Sequence, residues 1–194
     1  MFVGLGNPGA AYEKTRHNVG FLSLDSAAET EGVKLARPLF SSFAIGKKVI
    51  DGHRCIFVKP LTYMNRSGII LPRLFKKYQI TPASLVVLCD NMDLPPGSVR
   101  VRKGGGTAGH RGLRSIQHEI ADSEFIRIYI GIGRPGEDES VVDHVLGIPG
   151  SDEALELMHG AARAAQALRM LVSEPIERVM NEFNRKDTHR SGAQ

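Results

Sequence analysis

The sequence holds no apolar run of about 18 residues or more, the length a membrane-spanning helix needs. It also has no basic-then-apolar leader, because Met1-Phe2-Val3 runs straight into the first glycine. Membrane spanning and secretion are therefore not expected, and a cytoplasmic place of action is. Cysteine is scarce. Cys55 and Cys89 each stand inside an apolar, strand-like run and read as buried, reduced core thiols; neither has zinc-site spacing. Gly-x-Ser-x-Gly is missing, so no covalent nucleophile is announced, and a hydrolysis would proceed by direct attack of water. His-Glu-x-x-His and His-x-Glu with paired cysteines are missing too. Asp93, His110 and His118 raise the question of a metal, but none is expected, nor any other cofactor. Asp93 is expected to cap or brace the turn Leu94-Pro95-Pro96-Gly97.

What is present points to one globular unit. The 194 residues, 42% hydrophobic and 24% charged, suffice for a single domain with a full core. We place that domain at 1–186 and read 187–194 as a polar, frayed tail. The net charge of +4 suits a polyanionic partner without demanding one. Its distribution says more. Arg100, Arg102, Lys103, Arg111 and Arg114 crowd around a glycine-rich loop, which favours phosphate contact over a merely solvated strand edge.

Periodicity sketches the elements. Phe2–Leu5 reads as a short buried strand, and 18–30 as a helix that Asn18 can cap. Phe43–Ile50 and Cys55–Val58 read as strands paired through a turn at Asp51-Gly52. Ser67–Tyr78 has helical spacing, with Pro72 either starting the helix proper or kinking it. Leu85–Cys89 is a continuous apolar run ending in Asp90, as a central buried strand would be. A strand at Val99–Arg102, a helix at His110–Ala121 and a strand at Phe125–Gly131 follow. Gly131–Glu139 is a loop, and helices are expected at Asp152–Val172 and Pro175–Asn184. Strands interleaved with helices predict an α/β single-domain, three-layer sandwich. Its central sheet should be mixed but mostly parallel, flanked by helices.

Two glycine patterns invite familiar readings and fail them. Gly4-x-Gly6-x-x-Gly9 matches a dinucleotide fingerprint in form, but Pro8 and the polar run to Arg16 delay the helix, and Asp25 falls inside a helix. Gly104–Gly109 lacks the Lys-Ser/Thr of a P-loop, which leaves a bare glycine turn that can cradle an anion. His17 alone reads as a surface or capping histidine. Beside Asn7, Asn65 and Asp90 it reads differently, because the C-terminal ends of parallel strands converge on one crevice. A carboxylate on one ring nitrogen would orient His17 and leave the other to take a proton from water. Tyr12 and Tyr63 are either ordinary aromatics or platforms that stack on an unpaired base or ribose.

Gly4-Leu5-Gly6-Asn7-Pro8-Gly9 with His17-Asn18-Val19-Gly20, then Thr62-Tyr63-Met64-Asn65-Arg66-Ser67-Gly68, then Asp90-Asn91-Met92-Asp93-Leu94-Pro95-Pro96-Gly97, together resemble the bacterial-type peptidyl-tRNA hydrolase family. The glycine run 104–110 and Val179-Met180-Asn181-Glu182-Phe183-Asn184 extend the resemblance over nearly the whole chain. It implies a monomeric, metal-independent hydrolase of the ester between a peptide and the 3′ end of transfer RNA, with no obligate protein partner. By position it makes His17 the general base, Asp90 its orienting partner, and Asn7 the group that tells blocked from free aminoacyl ends. Tyr12, Tyr63 and Asn65 would contact the substrate end, with Arg102, Lys103 and Arg111 on the RNA. The chain departs from the pattern twice. His110-Arg111-Gly112 replaces the usual His-Asn-Gly, and Tyr129 stands where a second arginine, a phosphate-clamp candidate, is usual after Arg127. An alternative is a binding module of this fold that holds RNA without turnover. A hydrolase of some other small ester is a further option, and the basic cluster speaks against it.

Overall fold

Alternating apolar residues decide the architecture. In β4 (Val86–Asn91) Val86 and Leu88 face one apolar cluster while Val87 and Cys89 face another. β3 (His53–Pro60) does the same with Cys55 and Phe57 against Ile56 and Val58. A strand that is apolar on both faces must be covered on both. The computed structural model, which describes residues 1–185, builds the corresponding layers around a six-stranded sheet of order β2-β3-β1-β4-β6-β5. β1 (Phe2–Gly4) pairs in parallel with β3 and β4, and β4 with β6 (Ile126–Gly131). The edge strands β2 (Phe43–Ile50) and β5 (Val99–Lys103) are antiparallel to their neighbours. α1 (Val19–Thr30), α5 (Ser151–Met170) and α6 (Ile176–Phe183) cover one face. A 310 turn at Met64–Ile70, α2 (Leu71–Tyr78) and α3 (Arg111–Ile120) cover the other. This is the expected mixed, mostly parallel α/β sandwich. The tail at 187–194 lies outside the described residues.

Local chemistry accounts for the details. Asp51 and Gly52 both take positive φ, 48° and 79°, the geometry of a two-residue hairpin turn. Pro72 sits in the first turn of α2, where its missing N–H costs nothing, so it starts the helix and does not kink it. Asn18 is not the cap expected of it. Its backbone is nearly helical, and its amide is spent on the backbone N–H and C=O of Asn7. Beyond the loop after β6 a short helix that periodicity did not reveal, α4 (Val141–Leu146), is capped by Ser140, whose hydroxyl accepts from the Asp143 N–H.

The sheet order puts the switch point between β1 and β4. The chain leaves β1 toward β3 on one side and β4 toward β6 on the other, which opens a crevice at the strands' C-terminal ends. α1 packs tightly over it. A Cβ on Gly20 would stand 2.4 Å from the Leu88 carbonyl oxygen and 2.6 Å from that of Leu5. Gly20→Ala is therefore expected to cost about 1–3 kcal/mol by overpacking. The check is urea denaturation, read as a lower midpoint at unchanged slope.

Candidate active site

Asp90 closes β4 at the mouth of the crevice, and its side chain is almost fully buried. One of its oxygens holds two histidines: His17 Nδ1 at 2.7 Å and His110 Nε2 at 3.0 Å. His17 arrives on a 310 turn, Arg16–Asn18, just before α1. Arg16 locks that turn, since its guanidinium makes two bonds of 2.6 Å to Glu153 on α5 and donates to the His144 carbonyl. His110 is the N-cap of α3, and its Nδ1 accepts from the backbone N–H of Gly112 and Leu113.

These contacts assign the protons. His110 Nδ1 must carry a lone pair to accept two N–H groups, so its Nε2 carries the hydrogen that points at Asp90. His17 Nδ1 likewise donates to the carboxylate. Its Nε2 has no partner among the described residues and faces the cavity. The three side chains offer ligand atoms within 4.8 Å of one another. A cation would nonetheless need a lone pair on His110 Nε2, and the helix cap puts a proton there. His118, the other histidine in question, lies exposed on α3 and outside this cluster.

Burial, the largest influence on His17, disfavours its charged form, but the charge and hydrogen bond of Asp90 outweigh it. The pKa of His17 therefore lies above its ordinary 6.5, while Arg111 pulls it partly back. Asp90 is subject to burial too, yet the two histidines hold its carboxyl well below the usual carboxylate range. Fully buried, the Cys89 thiol is pushed up and stays protonated, which removes it as a nucleophile.

The cavity in front of His17 has a volume of about 1140 Å³. Asn7, Tyr12, Tyr63, Asn65, Asp90 and Arg111 all border it with His17, as the sequence led us to expect. Asn7 is buried and its Oδ1 accepts from the Met64 N–H at 2.8 Å, so its amide NH2 is what remains to offer. Tyr12 and Tyr63 meet edge to face at 6.4 Å on the rim. Asn65 and Arg111 are exposed and without hydrogen-bond or ionic partners among the described residues. Arg102 and Lys103 do not border the cavity. As neighbours on the edge strand β5 they start from opposite faces of the sheet, and both are exposed.

Other parts of the site lie beyond the sequence motifs. Asp93 does not brace the turn at 94–97 as expected: no bond joins its side chain to that turn among the described residues, while its backbone N–H donates to Asn91 Oδ1 at 2.7 Å. The Asp93 carboxylate instead takes Arg134 across the cavity rim at 2.6 Å. Val141, Val142, Val145 and Leu146 of α4 form an apolar wall. His110 is the main omission. Its signal in the sequence is a histidine at the end of a glycine loop, in the N-cap position of the following helix.

A family model described as peptidyl-tRNA hydrolase matches residues 1–191. The chain belongs to this family. It is 42% identical over 184 residues to the peptidyl-tRNA hydrolase of Geobacillus thermodenitrificans, covering 95% of this chain and 98% of that one. The Bacillus subtilis peptidyl-tRNA hydrolase is also 42% identical, over 186 residues, covering 96% of this chain and 98% of that one. The crystal structure of the Acinetobacter baumannii peptidyl-tRNA hydrolase superposes with a TM-score of 0.88 at 39% identity, covering 94% of this chain and 93% of that one.

Asp90→Asn tests the electrostatics described for His17. Loss of the carboxylate charge leaves burial and Arg111, both of which disfavour the imidazolium. The pKa of His17 should fall from above 6.5 to below it, as read from its ring proton shifts.

Proposed function

We propose that the chain hydrolyses the ester between an N-blocked peptide and the 3′ end of transfer RNA, and so recycles transfer RNA from released peptidyl-tRNA. The observation that carries the mechanism is the His17–Asp90 contact of 2.7 Å with His17 Nε2 left open to the cavity. His17 takes a proton from water at Nε2, and that water attacks the ester carbonyl. Asp90 holds the ring in the required tautomer and stabilises the imidazolium that forms. His110 shares the same carboxylate oxygen and fixes its position. No serine or cysteine borders the cavity among the described residues, and Thr107, which does, makes no bond to His17, which supports direct attack by water. The relatives' names and this histidine–aspartate pair together favour an enzyme over a non-catalytic RNA-binding module. RNA binding needs neither the pair nor a proton acceptor facing a cavity.

Asn7 supplies the choice of substrate. With its Oδ1 turned to the Met64 N–H, its NH2 is the group it presents to the substrate. A blocked end offers it an amide carbonyl, whereas a free α-ammonium is itself a donor and finds no acceptor there. Tyr12, Tyr63 and Asn65 line the path of the 3′ end, and Arg111 adds charge beside it. No helix among the described residues is long and apolar enough to cross a membrane. The substrate, a product of translation, supports a cytoplasmic place of action.

His17→Ala should lower kcat on a blocked aminoacyl-transfer RNA by at least about a hundredfold, the scale of a lost general base. Wild-type kcat/KM should rise with pH through a value above 6.5, because the base works only when neutral. A chelator should leave turnover unchanged. Near-normal turnover in the alanine variant contradicts the mechanism.

Asn7→Asp keeps the oxygen that accepts from Met64 but replaces the free donor by an acceptor. The preference for blocked over free aminoacyl ends should narrow by roughly tenfold or more. Paired kcat/KM measurements on the two substrates check this.

A further inference from the structure

A cation beside a general base works against it. Three arginines border the cavity, and Arg134 is already paired with Asp93. Of the other two, Arg111 acts on His17 and Arg114 does not. Arg111 disfavours the imidazolium and so opposes the step in which His17 takes a proton from water. It has no hydrogen-bond or ionic partner among the described residues. Both carboxylates of the cavity wall are engaged elsewhere, Asp90 by His17 and His110 and Asp93 by Arg134. A guanidinium placed in this way is a net cost to the reaction unless negative charge develops beside it.

The backbone that carries Arg111 is held in place. It is the first residue of α3 and directly follows His110, whose Nε2 is fixed on Asp90. The His110 and His17 rings lie 5.1 Å apart between centroids. On the other side stands Gly112, where a Cβ would come within 2.5 Å of Met64 Sδ and 2.9 Å of Leu5 Cδ1. Only a glycine lets the first turn of α3 press this closely on the site. The Arg111 side chain therefore starts one residue from the ring that shares the carboxylate of the base, and it borders the same cavity.

Direct attack by water supplies the missing negative charge. As the water oxygen bonds to the ester carbonyl carbon, the C=O pair moves onto the carbonyl oxygen and the water proton goes to His17 Nε2. The products of that step are an oxyanion and an imidazolium. On collapse the carbonyl re-forms, the bond to the ribose oxygen breaks, and His17 returns its proton to that oxygen. Arg111 thus faces only a base before the step and an anion after it, so its attraction is realised in the transition state and not in the ground state. We infer that the Arg111 guanidinium donates to the oxyanion formed at the scissile carbonyl, which makes it a catalytic residue and not a contact to the RNA backbone. Where the family pattern has a neutral asparagine, this chain places a charge-assisted donor. The inference rests on the reading of His17 as the base in hydrolysis of the transfer RNA ester.

The test compares the wild type with Arg111→Ala on two substrates: a blocked aminoacyl-transfer RNA, and the matching blocked aminoacyl-adenosine, which carries no phosphate. Hydrolysis of the first by the wild type checks the underlying reading separately. Arg111 is exposed, so the variant should keep the wild-type thermal midpoint. Its kcat on the transfer RNA substrate should fall at least about tenfold, with KM changed by less than about twofold. On the phosphate-free substrate kcat/KM should fall by the same factor. The pH profile of kcat/KM should move the other way from the rate. Without the cation, Asp90 and His110 are the charged or titratable side chains left around His17, the imidazolium is favoured, and the midpoint rises. A stronger base with a slower reaction is the signature of a lost oxyanion donor. A raised KM with kcat intact, a loss confined to the transfer RNA substrate, or a midpoint that falls together with kcat would each overturn the assignment.

Discussion

Asp90 Oδ1 is where the structure converges. It accepts from His17, which enters on the turn before α1, and from His110, which caps α3 on the opposite face of the sheet. One buried oxygen thus joins the two helical layers at the C-terminal end of the central strand. Two charge-assisted hydrogen bonds keep this carboxyl ionised where burial alone would neutralise it. The negative charge then does two things to His17: it fixes which nitrogen is protonated and raises the affinity of the other. Arg111 opposes the second effect from the cavity rim, so the basicity of His17 is a balance between a buried anion and an exposed cation.

A ring of local contacts protects that arrangement. Asn18 clasps the backbone of Asn7, Asn7 clasps Met64, and Arg16 ties the His17 turn to Glu153. Asn7 and His17 are each held at one end by the architecture and leave one group over for chemistry. Asn7 keeps its NH2, His17 its Nε2. Arg127, under the glycine loop, is spent on architecture alone, donating to the carbonyls of Gly105, Gly106 and Ser123. Buried among carbonyls, it faces the protein and not the substrate.

The sheet was legible because its strands carry the period-two signal on both faces, as Val86 to Cys89 illustrate. His17 and Asp90 were legible as a pair from their places after strand ends, and Asn7, Tyr12, Tyr63, Asn65 and Arg111 do gather with them. Other features had no local signature. The partner of Asn18 is decided 11 residues away by tertiary packing, so a capping residue type became a loop clasp. Whether Arg102 and Lys103 share a face depends on their being in a strand, which the charge cluster alone does not say. α4 spans only 6 residues behind a polar loop, too short for helical periodicity to show. His110 was visible as a residue but not as a partner of Asp90, because that contact depends on the glycine loop's path over Arg127.

The direct measurement is the protonation state of the two imidazoles, from their ring nitrogen shifts and one-bond N–H couplings at a pH where both are neutral. The account predicts a proton on Nδ1 of His17 and on Nε2 of His110, opposite tautomers pointing at one carboxylate. His17 protonated on Nε2 would leave no lone pair toward the cavity, and the assignment of His17 as the base, oriented by Asp90, would be wrong.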